Sequence, residues 1–187
     1  QGGLKDLDII VSEPSNLWIA GVANLYTREF YESCRQRLAS GGVMCQWYHI
    51  YNSSPEEVET VLATFYSVFP HGSVWQSAES DILLVGSQTP LNVSLDRLRS
   101  LWDSSDALRR DFCSIGLYQP EFVLGHYLAG REKLTFPLAA KNTDDRPLLE
   151  YSAPLSLYRA DDSGECLRLL MRARGPAPEM PPGISPS

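Results

Sequence analysis

The carboxylate of Glu13 is the group best placed to do chemistry in this sequence. It directly follows the apolar run Leu7–Ser12, which is typical of a buried strand. A carboxylate there can accept a proton from a nucleophile or hold a cation, and partial burial would raise its pKa. The alternative is that Glu13 caps the following helix or faces solvent, and spacing alone slightly favours that alternative.

Three further side chains extend this candidate site. Asn16 can bind a ligand or cap its own loop, and Trp18 can form a wall over a substrate or cover the adjacent helix. Gln46 lies in the apolar segment 43–48, so it needs a hydrogen-bond partner, which a backbone group or a substrate can supply. Ligands of open α/β sheets bind at the carboxyl ends of strands, which is where these residues fall.

The elements that must position these residues follow an α/β pattern. In chain order we predict a strand at 7–12, a helix at 21–39 that Gly41 and Gly42 end, a strand at 43–48, a helix from Pro55 to Phe69, and a hairpin of 73–77 with 81–85. Ser54 and Glu57 predict a capping box at the start of the second helix. Strands that alternate with helices predict a parallel sheet, to which the hairpin adds an antiparallel edge.

The rest of the chain is predicted to be a helical extension over residues 91–160, with helices starting near Ser94, Ser105 and Pro120, the last of which runs toward Leu128. In the polar turn 142–147 we expect Arg146 to pair with Asp144 or Asp145 and to clamp the C-terminal segment. Residues 161–187 are predicted to be a largely disordered tail with one weak helical segment around 167–171, because the end is rich in proline and glycine.

Composition excludes several classes of function. A net charge of -7 and a pI of about 4.9 argue against nucleic-acid binding, which needs a basic surface. The cysteines and histidines are scattered without metal-ligand spacing, so we predict free thiols and no metal site. No apolar run reaches the roughly 18 residues of a membrane span. The sequence has no P-loop and no glycine-rich turn after its first strand, and its opening at Gln1 suggests a piece of a longer protein.

The run D-I-I-V-S-E-P-S-N at residues 8–16 resembles the fourth-strand motif of spermidine synthases. More closely, it is similar to spermidine-synthase-like domains that are often fused to multi-pass, transporter-like membrane segments. Residues 18–31 resemble the helix that follows the motif, and residues 38–47 resemble the next strand with its lead-in. The turn 142–147 together with Leu149-Glu150-Tyr151 resembles the closing segment of the fused branch. The resemblance covers residues 5 to about 159 and is specific in the first 50.

This resemblance implies that residues 1–90 form the C-terminal half of a Rossmann-like, class I S-adenosylmethionine-dependent methyltransferase fold. It implies transfer of an aminopropyl group from decarboxylated S-adenosylmethionine to a polyamine amine, without a metal. Glu13 occupies the position of the first Asp of the family's D-[ST]-[ST]-D-P run, which acts as the base. The resemblance places Asn16, Trp18 and Gln46 near the small-molecule amine, and Ser12 and Pro14 near the co-substrate.

The motif is altered at two positions, because Asn16 replaces its second Asp and Leu17 replaces its proline. Two alternatives therefore stay open: an S-adenosylmethionine-dependent methyltransferase, or a catalytically degenerate domain that binds a ligand or regulates a partner. The glycine-rich co-substrate loop belongs to the N-terminal half of such domains, so we expect that half as a partner and this chain alone to be inactive. The resemblance also allows a homodimer and an upstream membrane tether, with the domain on the cytoplasmic side.

Overall fold

The computed structural model describes residues 4–91, 93–136, 139–159 and 161–174. Its centre is a mixed five-stranded sheet with the strand order β1-β2-β4-β3-β5. The strands are β1 Leu7–Ser12, β2 Leu38–His49, β3 His71–Ala78, β4 Asp81–Ser87 and β5 Tyr127–Gly130. β1 and β2 are parallel, and the other neighbours are antiparallel. The predicted α/β class with a terminal hairpin is confirmed.

Seven α-helices surround the sheet in the described part of the chain. They are α1 Arg28–Arg35, α2 Pro55–Val68, α3 Leu95–Ser104, α4 Asp106–Ser114, α5 Pro120–Gly125, α6 Leu148–Ser156 and α7 Ser163–Arg172, with short 3-10 turns at Val22–Tyr26 and Arg131–Lys133. The predicted capping box is confirmed at α2, where the Ser54 hydroxyl accepts from the Glu57 amide and the Glu57 carboxylate accepts from the Ser54 amide. Ser94 and Ser105 cap α3 and α4 as predicted.

The single helix predicted over 21–39 is wrong. Thr27 adopts an extended conformation and its hydroxyl caps Phe30, so a new helix starts there and ends at Arg35. Gly41 and Gly42 then lie inside β2 rather than after a helix. The register of β1 against β2 jumps at this point, and Gly41 has a φ of 80°. The glycines therefore serve a bulge in a strand, a role that local sequence does not separate from a helix end.

Two further predictions about the second half of the chain need correction. The helix that opens at Pro120 ends at Gly125, and the four buried residues Tyr127–Gly130 pair with β3 as a fifth strand. A short apolar run has no periodicity that separates strand from helix. The helical segment predicted around 167–171 lies within α7, which is longer than predicted, with Cys166 and Leu170 buried. The tail at 175–187 lies outside the described residues.

The polar turn 142–147 does clamp the C-terminal segment, but through Asn142 rather than Arg146. Asn142 is fully buried, and its side-chain amide donates to the carbonyls of Ala23 and Tyr26. Its Oδ1 accepts from the amide of Leu149 at the start of α6. No ion pair of Arg146 occurs among the residues that the structure describes.

The two faces of the sheet differ in how well they are covered. One face packs against α1 and α2 through a core that includes Met44, Tyr48, Phe65 and Leu84, all fully buried. The other face is partly open. An apolar cleft of about 620 Å³ separates β2, β3 and β4 from the layer formed by α3 to α5. On the same face of β1, Ile9 and Val11 are 63% and 66% exposed, so the strand predicted to be buried is an exposed edge strand.

Candidate functional site

The candidate site lies where the two parallel strands end. Ser12, the last residue of β1, is in register with Gln46 of β2. The carboxyl ends of both strands therefore reach the same edge of the sheet, as the position of Glu13 predicts. Residues 13–20 form the loop that leaves β1 at this edge, and β2 continues for three residues past Gln46.

Gln46 is fully buried and joins the strand ends to each other. Its Nε2 donates to the backbone carbonyls of Ser12, at 3.4 Å, and Trp47, at 3.0 Å. The Tyr26 hydroxyl donates to the same Trp47 carbonyl, and burial raises the pKa of Tyr26 while the Gln46 amide partly offsets this effect. The backbone thus supplies the partners that the sequence left open for the nitrogen of Gln46. Its buried Oε1 has no partner among the residues that the structure describes.

Asn16 is bound to the end of β2 rather than left open to a ligand. Its Nδ2 donates to the Tyr51 hydroxyl at 2.5 Å, and its backbone carbonyl accepts from the Ile19 amide. The next amide, that of Leu17, donates to Nε2 of His49 at 3.1 Å. Two consecutive loop residues are therefore held by two side chains at the end of β2.

Trp18 packs over these contacts. Its ring meets the His49 ring edge-on with centroids 4.8 Å apart, and it meets the Tyr51 ring in the same way at 5.8 Å. Trp18 is only partly buried, so one part of its surface faces solvent at the site. The ring therefore covers the hydrogen bonds between the loop and β2, which fits the covering role weighed from the sequence.

Glu13 is exposed, and its side chain contacts no partner among the described residues by hydrogen bond or ion pair. The partial burial considered from the sequence is not present; Glu13 faces solvent, as the alternative interpretation has it, and it caps no helix in the described part of the chain. Ser12 and Pro14 on either side are partly buried. Glu13 is thus a free carboxylate held on a loop whose following residues are fixed.

His49 is the residue at this site that the sequence reasoning passed over. It belongs to the strand end Gln46-Trp47-Tyr48-His49, but no role follows from its spacing to other histidines. In the structure His49 is fully buried, and this burial lowers its pKa. The carbonyl of Tyr51 and the carboxylates of Asp81 and Glu57 favour the cation, but burial has the larger effect. The sequence feature that could have indicated this role is a histidine at the end of β2, the strand next to β1.

Other kinds of site are not found in the described residues. Within ranges 4–91, 93–136, 139–159 and 161–174, no group of three or more histidine, cysteine or acidic side chains is arranged to hold a metal ion. In the same ranges, every helix is too short or too polar to cross a bilayer. The four cysteines are free thiols, as predicted.

Comparison with known proteins gives one type of match. No protein-family model matches the sequence, and no curated protein matches it. Among solved structures, the chain is similar to a probable spermidine synthase from Corynebacterium glutamicum ATCC 13032, with a TM-score of 0.44 and 19% sequence identity. The match covers 75% of this chain and 48% of that one, so this chain spans about half the length of the solved protein.

Proposed function

We propose that this chain supplies part of the active site of a spermidine-synthase-like transferase, with Glu13 as the proton acceptor. The observation that carries the proposal is the state of Glu13. It is an exposed carboxylate that has no structural partner in the described ranges, and it lies at the carboxyl edge of a parallel strand pair. The loop that carries it is held by His49 and Tyr51. A carboxylate that stabilises nothing in the fold is available for a ligand.

The reaction needs a carboxylate at that place. A cationic amine must lose a proton before its nitrogen can attack the carbon beside the sulfonium of decarboxylated S-adenosylmethionine. The Glu13 carboxylate would accept this proton, and the neutral nitrogen would then form the new C–N bond. The C–S bond breaks, its electron pair stays on sulfur, and a neutral thioether leaves. A positioned general base typically contributes about 10² to 10⁴ in rate.

The residues near Glu13 bear on the substrate. The second carboxylate of the family motif is replaced by Asn16, whose amide is already used by Tyr51. A single free carboxylate, in a chain of net charge -7, favours a small cationic amine. In the proposal the exposed part of Trp18 contacts the methylene groups of that amine.

The co-substrate requires a second structural unit. β1 is an edge strand of the described sheet, and its exposed Ile9 and Val11 leave apolar surface uncovered. Open strand edges and apolar faces are the surfaces on which further strands and helices pack. We propose that another α/β unit pairs with β1 and carries the co-substrate loop, with Ser12 and Pro14 facing the co-substrate.

The test is a transfer assay on the full-length protein that contains this chain. The protein is incubated with decarboxylated S-adenosylmethionine and either putrescine or spermidine, and the products are identified by mass spectrometry. We expect an aminopropylated amine, and Glu13→Gln should lower kcat by about a hundredfold or more. Glu79→Gln is the matched control, because Glu79 is an exposed carboxylate in the β3–β4 turn.

Three outcomes would contradict the proposal. Absence of product with every amine at high enzyme concentration would favour a ligand-binding or regulatory domain. A methylated product formed from S-adenosylmethionine would instead assign the same site to a methyltransferase. An unchanged rate in Glu13→Gln would remove Glu13 from the mechanism whatever the product.

A further inference from the structure

The environment of His49 is unusual for a titratable side chain. The residue is fully buried at the end of β2. Four aromatic rings surround the imidazole, with centroids between 4.7 and 5.7 Å from its own, and they belong to Trp18, Trp47, Tyr48 and Tyr51. Its two ring nitrogens bind two different segments of the chain, so the imidazole bridges β2 and the loop after β1.

These two hydrogen bonds define the protonation state of the ring. Nδ1 lies 2.9 Å from the Tyr51 carbonyl oxygen, which can only accept, so Nδ1 carries a hydrogen. Nε2 lies 3.1 Å from the amide nitrogen of Leu17, which can only donate, so Nε2 presents its lone pair. The neutral Nδ1–H tautomer alone satisfies both neighbours.

Protonation would reverse one of these bonds. An imidazolium carries a hydrogen on Nε2, and that hydrogen would face the N–H of Leu17, so the bond to the loop would become a repulsive contact between two donors. The charged groups facing His49 are Asp81 on β4 and Glu57 on α2, and both favour the cation. Burial among apolar rings opposes them and prevails, so the pKa of His49 is lowered.

We propose that neutral His49 is the positioning residue for Leu17 in the loop after β1, and that protonation of its ring breaks the bond between Leu17 and β2. The consequence for Glu13 rests on the function proposed above, but the contact itself does not. Asn16 and Leu17 are the next fixed points after Glu13 along the chain. Loss of the Leu17 bond therefore loosens the segment that carries the carboxylate, while the rest of the sheet is unaffected.

The direction of the pH effect follows from the lowered pKa. The unfolded chain binds a proton on this residue near the usual value of about 6.5, whereas the folded protein binds it only at a lower pH. The stability from neutral His49 is therefore complete above about pH 6.5 and falls as the pH drops through the interval below that value. The contact between Leu17 and His49 should open at the lower end of this interval, where the folded protein itself binds the proton.

The test measures the loop directly and does not depend on catalysis. The positioning role of His49 can therefore fail while the proposed function stands, and the proposed function can fail while the positioning role stands. The His49 ring is titrated by NMR, and the protection of the Leu17 amide against hydrogen exchange is measured over the same pH range. We expect protection to fall about tenfold, the effect of one lost hydrogen bond, with the same midpoint as the His49 titration. Trp18 fluorescence should change in parallel, because its ring contacts the imidazole.

Three variants separate this role from a general structural one. His49→Gln keeps an acceptor for Leu17 and cannot become charged, so it should protect the amide at every pH. His49→Phe keeps a ring but no acceptor, so protection should be low at every pH. His71→Gln, at the end of β3 that pairs with Ser87, should keep the wild-type response. Unchanged Leu17 protection through the His49 titration, or an unaltered pH response in His49→Gln, would overturn the proposal.

Discussion

Replacing Asn142 with alanine should cause a large loss of stability, because this one residue ties four segments of the chain together and its side chain makes three of the bonds. Its amide contacts the carbonyls of Ala23 and Tyr26 in the first 3-10 turn, and its Oδ1 contacts the Leu149 amide of α6. The backbone of the same residue binds the Thr64 hydroxyl on α2 and the Arg28 amide at the start of α1. The substitution removes the three side-chain bonds and leaves the two backbone bonds.

The size of the effect follows from the burial of the groups left behind. Ala23, Tyr26 and Leu149 are at most 1% exposed, so water cannot replace the lost partner. A buried polar group that loses its partner costs about 1 to 3 kcal/mol, and three such groups give a decrease in unfolding free energy of about 3 to 5 kcal/mol, allowing for partial relaxation. That is a large fraction of the roughly 5 to 15 kcal/mol that stabilises a typical domain.

The assay is equilibrium unfolding in urea, followed by tryptophan fluorescence and by far-ultraviolet circular dichroism. Asn24→Ala is the matched control, because Asn24 is an exposed asparagine in the 3-10 turn that Asn142 supports. We expect the control to change the unfolding free energy by less than about 0.5 kcal/mol. An Asn142→Ala effect as small as that of the control would refute the reasoning from buried partners.

A second variant at the same position separates hydrogen bonding from packing. Asn142→Asp has nearly the same shape but places an oxygen against the carbonyls of Ala23 and Tyr26. At neutral pH it should destabilise the protein at least as much as the alanine variant. Its folded-state pKa should be raised, so the penalty should shrink as the pH falls toward the unfolded value of about 3.9. A pH-independent penalty would indicate a packing effect instead.

Three further changes test the packing around the sheet. Gly86→Ala should lower stability by about 1 to 3 kcal/mol in thermal unfolding, since its new Cβ would lie 2.6 Å from the Phe65 ring; an unchanged Tm would contradict this close approach. Burial raises the pKa of the Cys166 thiol to about 12, so iodoacetamide at pH 8 should label it only on unfolding, and rapid labelling of native protein would disprove its enclosure. Glu57→Ala should cost about 1 to 3 kcal/mol in urea, because the carboxylate also accepts from the Ser156 hydroxyl, and an effect below about 0.5 kcal/mol would mean that neither bond matters.

Features with a local cause could be predicted from the sequence. The start of α2 is encoded by Ser54, Pro55 and Glu57, which lie within one helical turn of one another. β1 and β4 appear as short apolar runs between polar residues, and the two-residue turn between β3 and β4 marks the hairpin. The placement of Glu13 at a strand end follows from the same local pattern.

The long-range contacts could not be predicted in this way. The bulge at Gly41 and Gly42 exists because Leu7 pairs with Leu38, and β5 is a strand because β3 offers it an edge. The local pattern of apolar residues in such short segments fits a helix and a strand equally well. The segment becomes a strand because a neighbouring strand is present to pair with it.

The candidate site combines features set by local sequence with features set by tertiary packing. The sequence by itself determined that a carboxylate follows a short apolar strand, because that depends on adjacent residues. Only the tertiary structure decided that Glu13 is free and that the residues after it are held. The His49–Leu17 bond joins residues 32 positions apart, and the Asn142–Ala23 bond joins residues 119 apart. Such contacts depend on how the elements pack, which no neighbouring residue specifies.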